Sequence, residues 1–215
     1  MEKHRTVAIV LAAGLGTRMS STLPKVLHPL GGRPMLLHLF ETLSNVQPDT
    51  TVLVTGPGMD SVSGIVANHK LKPNVVIQEE RLGTGHAVTV ARSFFEGDTG
   101  TVLVVYGDTP LLNVSTIQSL ISARQSGENP AVVVLGFRPS EAGEYGRLVL
   151  DNHGALQRIV EAKDASSEEL NQLLCNSGIM AIDATMLTFL LDQLKNDNAK
   201  GEYYLTDIVE LAILE

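Results

Sequence analysis

Four strand-length runs of apolar, β-branched residues, separated by stretches of helical periodicity, constrain this chain most. They are residues 6–12 (TVAIVLA), 51–55 (TVLVT), 74–78 (NVVIQ) and 101–106 (TVLVVY). A run with no polar alternation reads as a strand buried on both faces. Pro34 opens a helical stretch that puts Met35, Leu36, Leu39, Phe40 and Leu43 on one face, with proline in its favoured first turn. Further helices are predicted near 59–68, over 85–95, and over 114–125. The last is capped by Asn113 or Ser115 and stops before Gly127. Strand–helix alternation of this kind predicts an α/β fold: a mostly parallel sheet with helices on both faces.

The second half changes character. Residues 131–137 read as another strand, but 147–150 and 155–160 flank Asp151-Asn152-His153-Gly154, a turn sequence. The resulting hairpin makes the sheet mixed and adds a small antiparallel β lobe. A helix is predicted over 166–173, where Ser166 and Glu169 stand at capping-box spacing. A strand over 176–182 follows, then helices near 184–195 and 206–214. At 215 residues, 44% hydrophobic and 19% charged, the chain suits one globular domain, residues 1–215, with a core that needs no staples. It stops inside a helical pattern without a glycine or basic cap, which reads as an interrupted end. Sixteen Lys and Arg against 24 Asp and Glu, net −8, argue against duplex nucleic acid as partner. A small phosphorylated ligand needs only a few placed cations. With a single cysteine, Cys175, no internal disulfide is possible, and no His/Cys cluster suggests zinc. No secretory signal or membrane span is legible, so a cytoplasmic protein with no membrane partner is expected.

The densest chemistry follows the first strand: Leu11-Ala12-Ala13-Gly14-Leu15-Gly16-Thr17-Arg18-Met19, then Leu23-Pro24-Lys25. A glycine turn at the carboxyl end of a parallel strand lets backbone N–H groups converge on phosphate oxygens. The dinucleotide fingerprint needs a third glycine at position 19, and the P-loop needs its glycine there too. Met19 excludes both. What remains is Gly-x-Gly with Arg18 and Lys25 following, either a phosphate-binding turn or a plain turn carrying surface cations.

The run LAAGLGTRMSSTLPKVLHPLGGRPM resembles the signature loop of sugar-1-phosphate nucleotidylyltransferases. Six later segments resemble, in order, the uridyltransferase domain of the bifunctional N-acetylglucosamine-1-phosphate uridyltransferase/glucosamine-1-phosphate acetyltransferase family. They are Gln78 with 82–87 (LGTGHA), 106–111 (YGDTPL), 145–147 (YGR), 159–165 (IVEAKDA), 176–179 (NSGI) and 201–207 (GEYYLTD). The resemblance covers nearly the whole chain. It implies a Rossmann-like nucleotide-binding fold and conversion of UTP and N-acetylglucosamine 1-phosphate to UDP-N-acetylglucosamine and pyrophosphate, feeding cell-wall and lipopolysaccharide precursors.

By the same resemblance Asp108 is the Mg²⁺ ligand, and Arg18, Lys25 and Asp108 are the catalytic residues. Leu11, Ala12, Ala13, Gly14, Gly16, Lys25, Gln78, Gly83 and Thr84 bind the nucleotide. Tyr106, Gly107, Gly146, Glu161, Asn176, Tyr203 and Thr206 bind the sugar phosphate. The residue chemistry agrees: a carboxylate suits Mg²⁺, an amide reads a pyrimidine edge, and carboxylates and amides orient sugar hydroxyls. Plainer roles compete at each position: a turn cap for Asp108, a polar strand end for Gln78, solvated groups for Glu161 and Asn176. Lys163 would share a strand face with Glu161 or be a solvated lysine. His86 is expected to be structural, and Cys175 a buried thiol.

Leu15 departs from the family, which often carries a basic residue there, so one triphosphate contact is lost. Ser177 replaces the commoner threonine. The family's second Mg²⁺ ligand, an asparagine, and its trimerising acetyltransferase β-helix fall beyond the residues present, so a monomer or weak dimer is expected. The rival readings are a nucleotidylyltransferase for another base or sugar, a non-catalytic nucleotide-sugar binder, and a dehydrogenase.

Overall fold

The computed structural model describes residues 4–14, 16 and 19–215. In chain order the elements begin β1 (Thr6–Leu11), β2 (Pro29–Leu30), β3 (Arg33–Pro34), α1 (Met35–Val46), β4 (Thr50–Thr55), α2 (Asp60–Val66), β5 (Asn74–Ile77) and α3 (Thr84–Thr89). They continue β6 (Thr101–Tyr106), α4 (Val114–Arg124), β7 (Val132–Phe137), β8 (Arg147–Leu150) and β9 (Leu156–Val160). The chain then runs through α5 (Ser167–Leu170), β10 (Cys175–Asp183), α6 (Ala184–Leu191) and α7 (Ile208–Leu214).

The central sheet runs β5-β4-β1-β6-β10-β8-β9, with β7 also paired to β10. β1 lies parallel to β4 and β6, and β4 parallel to β5. β10 is antiparallel to β6, β7 and β8, so the sheet changes sense at β10, and β8 and β9 form the predicted hairpin. A separate two-stranded antiparallel sheet, β2 with β3, was not foreseen.

Strand alternation divides the core in two. Val7, Ile9 and Leu11 of β1 face one layer with Val52 and Val54 of β4 and Val102 and Val104 of β6, covered by α3, α6 and α7. Ala8, Val10, Leu53, Leu103 and Val105 face the other, covered by α1, α2 and α4. This two-sided burial is what three of the unbroken apolar runs required; the fourth, β5, is an edge strand and exposes Val75 and Ile77. Leu36, Leu39, Phe40 and Leu43 of α1 are all fully buried, each contributing roughly 1.5–3 kcal/mol of transfer free energy. The helix ends at Gln47, whose left-handed backbone lets its N–H reach the Leu43 carbonyl at 2.9 Å. Asn113, not Ser115, caps α4, accepting from Thr116 N at 2.8 Å, and the Ser166–Glu169 capping box of α5 is present.

The stretch predicted as one helix over 85–95 is α3 followed by a separate 3₁₀ turn over Arg92–Phe94. Three consecutive β-branched residues, Val88, Thr89 and Val90, crowd that junction. Among the described residues no helix is long and apolar enough to cross a membrane.

The consequence for function lies at one end of the sheet. β1, β4, β5 and β6 all end there, and the segments leaving β1 and β6 diverge on either side of a crevice. A strand-order reversal of this kind is where open α/β sheets bind ligands.

Candidate functional site

The crevice is a cavity of about 520 Å³. Leu11, Ala12, Ala13, Gly14 and Gly16 line it from the turn after β1, with Met19, Lys25 and Val26 beyond them. Gln78, Arg81, Gly83, Thr84 and Ala87 line it from the β5–α3 connection, Tyr106 and Asp108 from the end of β6, and Glu202 from before α7. Arg18 and Leu15 lie outside the described residues.

At one end the glycine turn meets the charged pair. Gly16 has φ +62°, and a Cβ there would sit 2.7 Å from Lys25 Cβ, so only glycine lets the lysine stem pass so close. Lys25 Nζ lies 2.5 Å from Asp108 Oδ2, both side chains partly open to solvent. Asp108 owes its position to Gly107, whose N–H donates to the Leu11 carbonyl at 2.9 Å. Gly107 does not line the cavity. A Cβ there would press on Val26 Cγ1 at 2.9 Å, so glycine lets the β6 exit pack flush on the core.

At the other end the β5–α3 connection is held from behind. Gln78 is buried, and its Nε2 reaches the Gly83 carbonyl at 3.0 Å and His86 Nδ1 at 3.1 Å. His86 therefore acts structurally, as expected. Gly83 has φ +107°, and a Cβ there would lie 2.5 Å from the Tyr203 carbonyl oxygen. That carbonyl accepts from Gly85 N at 2.8 Å, and Tyr203 N donates to the Leu82 carbonyl at 2.7 Å. Tyr203 thus supports the loop through its backbone. Its ring packs against the core and lines a second cavity with Leu82, His86, Leu191 and Leu194.

The remaining predicted residues form a cluster linked to the cavity by Tyr106. The Tyr106 ring lies on Gly178, where a Cβ would come within 2.6 Å of Cε2. Burial, and then the carboxylates of Glu161 and Asp108, push its phenol above the ordinary tyrosine range. Its hydroxyl faces Thr84 while its ring lies on Gly178, so one side chain stands between nucleotide-side and sugar-side residues.

Around Glu161, Thr206 donates its hydroxyl to Oε1 at 3.5 Å. Gly146 packs alongside, a Cβ there lying 3.6 Å from the same oxygen. Asn176 N donates to the Gly146 carbonyl at 2.8 Å, and its own Oδ1 accepts from Gly178 N at 2.9 Å. Desolvation raises the Glu161 pKa, Lys200 and Thr206 counteract it, and Asp164 and Glu202 add to it.

For Lys163 the solvated alternative holds, and one cavity residue was absent from the expected site. Lys163 shares no strand face with Glu161: β9 ends at Val160, and Lys163 is exposed in the following turn. Arg81 was passed over, hidden in a Glu79-Glu80-Arg81 charge run that reads as solvated surface. The usable signal was its place immediately before Leu82-Gly83. Cys175 is fully buried, as expected.

Glycine-turn backbone, a lysine and a carboxylate at one end, and an amide-bearing loop at the other, are what a nucleotide-binding transferase needs of one cavity. Residues 8–188 match the MobA-like NTP transferase domain family, and the chain belongs to it. Its relatives include the bifunctional protein GlmU of Rhodospirillum rubrum, 55% identical over 97% of this chain and 46% of that protein. The bifunctional protein GlmU of Paramagnetospirillum magneticum is 51% identical over 99% and 46%. This chain therefore spans a little under half the length of these relatives. A UDP-glucose pyrophosphorylase solved with UDP-glucose superposes with TM-score 0.75 at 18% identity, covering 98% of this chain and 88% of that one. HddC from Yersinia pseudotuberculosis superposes with TM-score 0.67 at 21% identity, over 93% and 83%. Both share the fold.

Proposed function

We propose that this chain transfers the uridylyl group of UTP to N-acetylglucosamine 1-phosphate, giving UDP-N-acetylglucosamine and pyrophosphate. The carrying observation is the Tyr106 junction. It stands between a cavity with Lys25 and Asp108 at one end and Gln78 and Gly83 at the other and a cluster of Glu161, Asn176, Gly146 and Thr206, whose polar groups suit sugar hydroxyls. The names of the relatives and the matched family support the same reading.

On this reading the base sits against the β5–α3 loop. The Gln78 amide nitrogen is committed to Gly83 and His86, so its oxygen is the atom that accepts from uracil N3–H. The triphosphate follows the backbone of Ala12, Ala13, Gly14 and Gly16 toward Lys25, with Arg18 assigned there by family resemblance. A phosphate oxygen of the sugar phosphate attacks the α-phosphorus of UTP. A P–O bond forms, the bond to the bridging α–β oxygen breaks, and pyrophosphate leaves with that electron pair.

The sugar phosphate is already an oxyanion at neutral pH, so no protein nucleophile is needed, and Cys175 is fully buried. Catalysis rests on alignment and on charge placed where it develops. Lys25 exchanges Asp108 for the leaving pyrophosphate, and Glu161 and Asn176 orient the sugar.

Asp108 would hold Mg²⁺. Among the described residues no cluster of three or more His, Cys, Asp or Glu could bind a metal alone. A single carboxylate fits a cation that keeps waters and takes substrate phosphate oxygens as ligands. When bound, the ion would neutralise phosphate charge.

The test is product identity. The chain is incubated with an equimolar mixture of four nucleoside triphosphates, N-acetylglucosamine 1-phosphate, glucose 1-phosphate and Mg²⁺, and the products are read by mass spectrometry. UDP-N-acetylglucosamine as the dominant product supports the proposal; a different nucleotide-sugar overturns it.

A further inference from the structure

The uridylyl reading leaves one cation on the cavity wall without a role. Arg81 Nε donates to the Ala13 carbonyl at 2.9 Å. Its guanidinium abuts Gly56, where a Cβ would clash with Nη2 and come within 3.0 Å of Cζ. Among the described residues it makes no ion pair. It is therefore a positioned fork of donors, held by one nitrogen, beside a ligand cavity.

Its position along the glycine turn separates it from the phosphate end. Lys25 crosses the turn at Gly16, whereas Arg81 is tied to Ala13, three positions earlier, and belongs to the same connection as Gln78 and Gly83. Uracil presents acceptor, donor, acceptor along O4, N3–H and O2. The Gln78 oxygen takes the middle position, which leaves two carbonyls needing donors. The Gly83 N–H meets no acceptor among the described residues and can serve one.

We propose that Arg81 reads the base, its terminal guanidinium nitrogens donating to the second carbonyl flanking uracil N3. This rests on the uridylyl reading above and adds a specificity-determining residue to it. A cytosine would turn its 4-amino donor or its N3 acceptor toward like groups, and sites built to hydrogen-bond one pattern reject the other strongly.

The experiment measures binding of uridine, UTP, 2-thio-UTP and 4-thio-UTP by calorimetry to the wild type, Arg81→Ala and Arg81→Gln, with thermal melts confirming that each is folded. The wild type should discriminate against both thio analogues, because sulfur is a poor acceptor and each flanking carbonyl has a donor; the discrimination against one of the two comes from Arg81. Arg81→Ala should weaken uridine and UTP by the same factor, about tenfold for a lost charged hydrogen bond, and lose that discrimination. Arg81→Gln, which keeps a neutral donor, should recover part of it.

A loss for UTP but not uridine would make Arg81 a phosphate contact and overturn the assignment. Unchanged affinity and discrimination in Arg81→Ala would overturn it too, while leaving the uridylyl reading intact. A folded wild type that binds no UTP would overturn both.

Discussion

Replacing Gly83 with alanine tests the account at its tightest point. Gly83 has φ +107° and ψ 179°, a conformation essentially reserved for glycine, and an alanine there costs about 1–3 kcal/mol in backbone strain. The new Cβ would lie 2.5 Å from the Tyr203 carbonyl oxygen and 2.9 Å from both Tyr203 N and Glu202 Cβ. Those atoms are mostly backbone and cannot rotate away, so residues 202–203 or the β5–α3 loop must move. Either movement stretches the 2.8 Å bond from Gly85 N to Tyr203 O and the 3.0 Å bond from Gln78 Nε2 to Gly83 O.

Losing one such bond adds roughly 1 kcal/mol, which with the strain gives about 2–4 kcal/mol. For a domain of this size that lowers Tm by roughly 4–16 °C. The control is Gly97→Ala, also at positive φ (+81°) but with nothing within 4 Å of the added carbon. It should carry backbone strain alone and leave UTP binding unchanged. Gly83→Ala should lose more stability than the control, read by calorimetry, and weaken UTP at least about tenfold by displacing Gln78. If the two variants match in Tm and UTP affinity, the close approach of Gly83 to Tyr203 does not organise the base end.

Two further outcomes follow from the charges. Lys25→Ala should slow turnover by about 10²–10³, as for loss of one preorganised donor to developing charge, while the KM for the sugar phosphate barely moves; an unchanged kcat refutes that role. The Asp207 carboxyl is pushed up to about 6 by burial first, then by Glu161, Glu210 and Asp164. The native state therefore holds this proton over a range of pH in which the unfolded chain, near 3.8, has released it. Its contribution to stability falls as pH rises from about 4 to about 6. Asp207→Asn should raise Tm at pH 7.5 and lose that advantage by pH 4, and a Tm gain that does not change with pH would contradict the sign.

The sequence carried most of the local fold because its signals are local. The runs TVAIVLA, TVLVT and TVLVVY are buried on both faces, the Asp151–Gly154 turn makes its hairpin, and Asn113 and Ser166 cap their helices. The order of strands is not a local property. That β10 lies between β6 and the β7 and β8 strands, with a register shift between Asn176 and Met180, depends on which surfaces pack. The two-residue strands β2 and β3 are too short for any periodicity to show.

Of the site, the motif residues were legible through resemblance, and the fold gathers Leu11, Ala12, Ala13, Gly14, Gly16, Lys25, Gln78, Gly83, Thr84, Tyr106 and Asp108 around one cavity. That Tyr203 acts through its backbone, and that Arg81 turns inward from a charge run, are facts of tertiary contact. For Tyr203 no spacing announces this, and for Arg81 only its place immediately before Leu82-Gly83 does.

The most direct test of the central claim is pyrophosphate release from UTP, N-acetylglucosamine 1-phosphate and Mg²⁺, measured for the wild-type chain beside Asp108→Ala. The account predicts release that requires all three components and disappears in the variant while the variant still melts cooperatively. A folded wild type that releases no pyrophosphate, or a variant that releases it as fast, would contradict it.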